Sequence, residues 1–334
     1  MARTCADTVT AVANPNIALI KYWGKRDEEY ILPYSDSLSL TLDIYPTTTT
    51  VRPVDGPVDV LTLNGIRTEG EPLHRVRRFL ALARSLSGAT ERLAVDSVNT
   101  VPTGAGLASS ASGFAALAAA ITPCYGLDPQ PRAISRLARR GSGSASRSVF
   151  GGFAIWRAGT GEGAAGDAES YAEPVDATLD IALVVAVVDA AAKVVSSRTA
   201  MRHTVATSPL FTAWSGASRG DLADMRAAIE RGDVEALGEI AERNALGMHA
   251  TMLAARPAVR YLSPASLAVF DRVTEIRRDG IGAYLTVDAG PNVKVVCRRA
   301  AATSVAAALD SLPETRAVLV AGPGAGVRLI GERS

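Results

Sequence analysis

The chain has 334 residues, and at roughly 150 residues per domain that length predicts two domains or one large two-lobed one. Lys+Arg 35 against Asp+Glu 34 leaves a formal charge of +1, which excludes a global field drawing the chain to nucleic acid or an anionic membrane, so any anionic ligand must be held locally. Hydrophobic residues at 48% with charged residues at 21% exclude disorder as the main state.

Arg3, Asp7, Asn14 and Asn16 interrupt the start of the chain where an export signal would need an apolar run. Residues 8–20 then read as a strand broken by Asn14 and Pro15, and 31–46 as strand and turn around Pro33, Ser35 and Asp36. Residues 47–52 and 58–63 give a β-branched pair joined by Pro53, Asp55, Gly56 and Pro57. Apolar residues at helical spacing predict a helix over 73–86, alternation predicts a strand over 93–98, and 109–125 is a small-residue helix of the kind that packs in a core. A helix over 132–140 and a short strand over 153–156 follow. The glycine-rich stretch 159–166 reads as a flexible hairpin tip. Residues 181–188 form the longest apolar run, far short of the ~20 residues of a membrane helix, and read as a buried strand. Helices over about 209–231, 234–253 and 264–279, strands near 283–287 and 293–297, a helix over 300–312 and strands over 317–321 and 327–330 complete the chain. Mixed runs of strands and helices favour α+β over a doubly wound sheet. Cys5, Cys124 and Cys297 are far apart, which points to a reducing compartment and no structural zinc.

Of the 35 basic residues only Lys21, Lys25, Lys193 and Lys294 are lysines; the other 31 are arginines. Lysine is a compact point charge where arginine is a planar fork, so the few lysines mark either places that require such a charge or chance positions on a solvated face. Lys21 and Lys25, four residues apart, favour the first.

The most specific segment is 102–113, PTGAGLASSASG, which follows a strand and opens a helix. Its glycines permit close backbone approach, the helix N-terminus offers free N–H groups, and the serines add hydroxyls, which together make a phosphate cradle. It has neither P-loop nor dinucleotide-fingerprint spacing. Residues 140–148, RGSGSASRS, form a second loop suited to a multiply charged oxyanion, with Arg147 as a fork, or a linker. Asp288 sits where a buried strand meets Gly290-Pro291, either aimed into a cleft or bonded to its own turn. Residues 193–198 read as a helix N-cap carrying a cation. His74, His203 and His249 have no metal-ligand spacing, and there is no GxSxG elbow.

These segments resemble the GHMP kinase superfamily. Pro102, Gly106, Leu107, Ser109, Ser110 and Ala111 fill its PxxxGLxSSA phosphate loop. Within it, the diphosphomevalonate decarboxylase family is the most similar. Its NIAxIKYWGK, GSGSAxRS, VSS and DAGPN markers occur in order at 16–25, 141–148, 195–197 and 288–292. The resemblance implies a two-lobed α+β fold with the active site in the cleft between lobes, 1–185 forming the N-terminal and 186–334 the C-terminal lobe. It implies a cytoplasmic homodimer acting on a small molecule, 5-diphosphomevalonate, with ATP as co-substrate and Mg²⁺, and with no nucleic acid or membrane partner. The products would be isopentenyl diphosphate, ADP, phosphate and CO₂. On the same footing Asp288 and Lys21 would be catalytic, and Asn16, Tyr22, Lys25, Ser142, Ser144, Arg147, Ser197 and Arg198 would hold the substrate. Pro102, Gly104, Ala105, Gly106, Leu107, Ser109 and Ser110 would hold ATP, with Ser109 a ligand of the metal.

Overall fold

Strand Val9–Ala13 stops at Asn14-Pro15 and strand Asn16–Ile20 resumes at once, because proline can neither donate to a ladder nor continue it. That break sends the two strands into different sheets. A computed structural model describes residues 8–100, 109–177, 179–189 and 195–331 of the chain. Val9–Ala13 lies in a six-stranded sheet in the order Arg328–Ile330, Val9–Ala13, Thr47–Val54, Arg92–Asn99, Val60–Leu63, Ile66–Arg67. Asn16–Ile20 is the edge of a four-stranded sheet that continues through Ser37–Thr41 and Phe153–Trp156 to Ala172–Val175.

The β-branched stretches on either side of the 53–57 turn are strands but not neighbours. Arg92–Asn99 lies between them, antiparallel to Thr47–Val54 and parallel to Val60–Leu63. The crossover is helix Gly70–Ser87, which buries Leu73, Val76, Phe79 and Leu80. Helix Ser109–Cys124 packs against the same sheet. It is buried nearly all round, as its lack of charge requires, and Ala115, Ala116, Ala118 and Ala119 let it approach closely.

A third sheet, in the order Ala283–Val287, Val293–Arg298, Ile181–Val187, Ala317–Ala321, is wholly antiparallel. Every residue of Ile181–Val187 is buried, because alternate side chains enter two cores. Ile181, Leu183 and Val185 meet Ile17, Leu40, Met225 and Leu237, whereas Ala182, Val184 and Ala186 meet Val269, Val273, Val305 and Leu309. Helices Phe211–Arg231 and Val234–Leu253 therefore sit between the second and third sheets, and Pro264–Arg278 and Ala302–Asp310 cover the outer face. The last strand returns to the first sheet, where Leu329 pairs with Ala11.

Two stretches differ from expectation. The glycine-rich 159–166 region lies in a hairpin between Phe153–Trp156 and Ala172–Val175, yet it is tied rather than flexible. Arg26 donates to the carbonyls of Ala158, Gly159 and Gly161, Glu169 accepts from the N–H groups of Thr160 and Gly161, and helix Gly163–Glu169 fills the tip. The serine-rich loop after residue 140 is a buried 3₁₀ helix, Gly143–Val149. Ser142 and Ser146 satisfy its backbone locally, with Ala145 N–H donating to Ser142 O and Ser146 Oγ to Gly143 O.

One buried ion pair joins helix Gly70–Ser87 to the first sheet. Asp59, 3% exposed, accepts two 2.9 Å bonds from Arg84 and a third from Leu93 N–H, while Arg84 also donates to Tyr125 Oη. Removing one member strands the other charge in the core. Asp59→Ala is expected to lower stability by about 3 kcal/mol or more in denaturant titration, and a loss below ~1 kcal/mol, the range of an exposed pair, would refute this role.

Candidate active site

Lys21 follows strand Asn16–Ile20, and its ammonium donates to Asp288 Oδ1 and to Ala18 O, each at 2.7 Å. Asp288 follows strand Ala283–Val287, and its other oxygen lies 3.3 Å from Lys294 Nζ on the neighbouring strand. Both lysine side chains are 2% exposed, and the carboxylate is 30% exposed, so it alone of the three opens to a ligand. Burial would raise the Asp288 carboxyl, but Lys21 and Lys294 outweigh it and hold it well below the ordinary carboxylate range. Burial pulls the Lys21 ammonium down in spite of Asp288, and Lys294 and Arg147 pull the same way.

Helix Val234–Leu253 fixes both partners from behind. Asn244, 1% exposed, accepts the Lys21 backbone N–H at 2.8 Å and donates to Ser218 and Asp221. His249, 3% exposed, lies against the backbone at Val287 and Asp288, and its Nε2 has no hydrogen-bond partner among the described residues. Burial, and then the charge of Lys21, push its imidazole down to about 4. The turn after Asp288 is anchored by Asn292, whose Oδ1 accepts the N–H groups of Val188 and Asp189.

The 3₁₀ helix Gly143–Val149 brings Arg147, 2% exposed, towards this centre. Arg147 donates to Ser37 Oγ at 2.5 Å and to Asn16 Oδ1 at 3.4 Å, and no carboxylate pairs with it among the described residues. Burial lowers its guanidinium to about 10, with Asp288 opposing. Asn16 donates in turn to Ser148 Oγ and Ser144 O. Tyr22 stacks edge-on against Trp156 with centroids 4.6 Å apart, and a Cβ on Gly143 would lie 2.8–3.0 Å from these two rings, so only glycine lets the helix start there. Burial, and then Glu28, raise the Tyr22 phenol.

The remaining expected residues fall around these groups. Arg198, in the first turn of helix Ser197–Thr207, donates to Gly141 O at 3.4 Å and lines a polar cavity of about 800 Å³ with Glu28, Arg77, Ser196 and Arg202. Lys25 faces that side but is engaged by Glu28 at 2.7 Å. Ser109 and Ser110 open helix Ser109–Cys124 and line a more apolar pocket of about 270 Å³ with Leu61, Val76, Val95 and Phe114. Ser110 Oγ lies 3.3 Å from Ser142 Oγ, so the two serine-rich segments meet. Pro102, Gly104, Ala105, Gly106, Leu107 and Lys193 lie outside the described residues.

Reading the sequence did not single out Asn244, His249, Glu28 or the role of Lys294. For Lys294 a signal was present, since it is one of the four lysines and lies six residues after Asp288. Asn244 and His249 sit on a helix whose pattern is that of any core helix, and nothing in their spacing betrays them.

Comparison with known proteins finds relatives along most of the chain. Residues 13–172 match the diphosphomevalonate decarboxylase-like N-terminal domain, and residues 183–319 the mevalonate 5-diphosphate decarboxylase C-terminal domain. The diphosphomevalonate decarboxylase mvd1 of Aspergillus fumigatus is 38% identical over 319 residues, covering 88% of this chain and 78% of that one. Among solved structures, mevalonate diphosphate decarboxylase from Staphylococcus aureus superposes with a TM-score of 0.92 at 38% identity, over 97% of this chain and 98% of that one. The protein MDDEF, solved in complex with MVAPP, AMPPCP and magnesium, superposes with a TM-score of 0.91 at 43% identity over the same shares. With the two domain models together spanning most of its length and its α+β fold shared throughout, the chain belongs to the diphosphomevalonate decarboxylase family.

Proposed function

We propose that this protein catalyses the ATP-dependent decarboxylation of 5-diphosphomevalonate to isopentenyl diphosphate, ADP, phosphate and CO₂ in the mevalonate route to isoprenoids. The observation that carries the reading is a local surplus of buried positive charge. Lys21, Lys294 and Arg147 are each at most 2% exposed, and among the described residues Asp288 alone pairs with the two lysines while no acid pairs with Arg147. Buried cations without counter-ions are costly, so such a centre calls for a polyanionic ligand.

The tertiary hydroxyl of the substrate is a poor leaving group and is phosphorylated first. Asp288 accepts its hydrogen bond and aims the oxygen at the γ-phosphorus of ATP. A carboxylate held by two ammonium groups is a weak base, so it takes the proton only as the O–P bond forms and ADP departs. The phosphate then leaves with the C–O electron pair, positive charge grows at that carbon, and the electrons of the carboxylate C–C bond close the double bond as CO₂ departs. Lys21 stabilises the oxyanions that form beside it.

Arg147, Arg198, Tyr22, Lys25, Asn16, Ser142, Ser144 and Ser197 hold the substrate diphosphate in this proposal, at the far end from Asp288. That remote binding orients the hydroxyl. ATP places its phosphates at the N-terminus of helix Ser109–Cys124, on Ser109, Ser110 and the 102–107 segment, and its base in the apolar pocket beside Val76 and Phe114. The first turn of that helix carries no acid, and no cluster of three His, Cys, Asp or Glu able to hold a metal occurs among the described residues. The Ser109 hydroxyl in that first turn is a hard oxygen donor of the kind that suits Mg²⁺, which keeps several waters and takes further ligands from substrate phosphates. Ser109 would be its protein ligand, and the bound ion would draw charge from the β- and γ-phosphates. The family resemblance also supports a cytoplasmic homodimer whose lobes divide near residue 185.

With substrate labelled in its carboxyl group, trapped CO₂ is expected to match ADP one for one. ADP accumulating while the label stays in an acid would identify a kinase instead. Asp288→Asn should reduce turnover by ~10²–10⁴ while an ATP analogue still binds, and a variant keeping half of the activity would remove Asp288 from the mechanism.

His249 makes stability depend on pH. The unfolded imidazole takes a proton near 6.5, the folded one only near 4. The unfolded state therefore binds more protons in that window, and stability falls as pH drops through it, by up to ~3 kcal/mol. Urea titrations of the wild type between pH 7.5 and 4.5 should show this loss, and His249→Asn should flatten it. Equal slopes would assign the acid sensitivity to other groups.

A further inference from the structure

One cation in the cleft has no task in this scheme. Arg75 lies on helix Gly70–Ser87 with its guanidinium over the Phe114 ring, 5.0 Å from the centroid. Its Nη2 makes one long bond, 3.4 Å to Gly141 O, and its buried Nε has no hydrogen-bond partner among the described residues. Glu71, one turn earlier, pairs with Arg78 rather than with Arg75. A guanidinium has five donors, and leaving them unfilled away from water is unfavourable. Burial, and then the charge of Arg198, lower it to about 10.

Position adds to this. Arg198 donates to the same Gly141 carbonyl, also at 3.4 Å, so two guanidinium groups converge on one neutral oxygen, and neither forms a salt bridge among the described residues, although Glu28 and Glu71 line the cavity beside Arg198. Like charges brought together in this way favour an anion at that point. Arg75 lines the pocket that contains Ser109 and Ser110, whereas Arg198 lines the larger polar cavity. Gly141 precedes Ser142, whose hydroxyl touches that of Ser110. The residue therefore stands where the two anion sites adjoin.

We infer that Arg75 is a further ligand-binding residue, which grips the phosphate chain of the nucleotide where it leaves the Ser109–Ser110 pocket and passes the substrate diphosphate, and so lets the two anions bind together. The inference rests on the proposed function for the identity of the second ligand. Without a cation at the junction, nucleotide triphosphate and substrate diphosphate repel each other, and each weakens the other. With Arg75 between them, the charge is neutralised by a fork that can bond both.

The test is calorimetric titration of a non-hydrolysable ATP analogue into wild type, Arg75→Gln and Arg75→Lys. Each is run alone, with saturating 5-diphosphomevalonate, and with inorganic diphosphate as an independent second anion. In Arg75→Gln the analogue is expected to bind about tenfold more weakly in the presence of either second anion, a size typical of coupling between sites, and to change less than threefold alone. Arg75→Lys should recover part of the loss. Melting temperatures should stay within a few degrees, since the guanidinium has no acidic partner to strand. Unchanged affinity with both anions, or an equal loss with and without them, would overturn the assignment. If the wild type ignores 5-diphosphomevalonate but couples the analogue to inorganic diphosphate through Arg75, the substrate reading fails and the role of Arg75 stands.

Discussion

The pairing of Asp288 with Lys21 and Lys294 is the constraint around which the rest is arranged. It joins residues 267 apart in the chain, one after the edge strand of the second sheet and one after the edge strand of the third. Two ammonium groups are withdrawn from water there beside a carboxylate that keeps 30% of its surface, and an ion pair so buried contributes little net stability because desolvation offsets the attraction. What it contributes is position. Lys21 is fixed at its backbone by Asn244 and at its head by Ala18 O, and Asp288 is fixed through Asn292 and the 288–292 turn, so neither can relax towards solvent.

From that arrangement the cleft inherits its charge. The whole chain carries +1, yet Lys21, Lys294 and Arg147 crowd around a single carboxylate, and Arg198 and Arg75 meet at Gly141 nearby. Near-neutrality overall and a concentrated positive site are compatible because charge is distributed unevenly: several surface arginines are answered locally, as in Arg243 with Asp221 and Asp224 or Arg298 with Glu235. Lys25 differs from Arg147 and Arg198 in that a salt bridge to Glu28 already answers its charge.

Much of this was legible in the sequence. The lysine count pointed to Lys21 and, without its role being drawn, to Lys294; the serine-rich segments and the Asp288 turn were each visible as breaks between regular elements. Their meeting was not visible, because Ser110 and Ser142 come within 3.3 Å only through the packing of helix Ser109–Cys124 against the Gly143–Val149 turn. Arg75 was hidden for a different reason: it is one of 31 arginines, and helical periodicity gives it the same standing as Arg77 or Arg78. Asn244 and His249 were hidden because a buried polar residue on a core helix is announced only by its partner. Where glycine and serine suggested loops, at 140–148 and at 159–166, the short helices Gly143–Val149 and Gly163–Glu169 formed in part of each, since local hydroxyl and carboxylate bonds satisfied the backbone that such compositions usually leave to water.

The chain's last segment explains how the Gly143–Val149 turn is held in place. Val327 N–H donates to Val149 O at the end of the 3₁₀ helix, Gly152 N–H to Gly324 O, and Gly324 N–H to Thr41 O, while Asn14 Nδ2 reaches Ala325 O. Gly151 and Gly326 pack backbone to backbone, with no room for a Cβ on either. The segment thus passes from the third sheet, across the end of the second, to the first, and pins the end of the turn that holds Arg147. Arg147 is then over-determined, by Ser37 and Asn16 at its head and by the returning chain at its base. A cation held so firmly, with no carboxylate paired to it among the described residues, has little reorganisation left to undergo on binding an anion, which is how a fixed scaffold turns buried charge into binding energy.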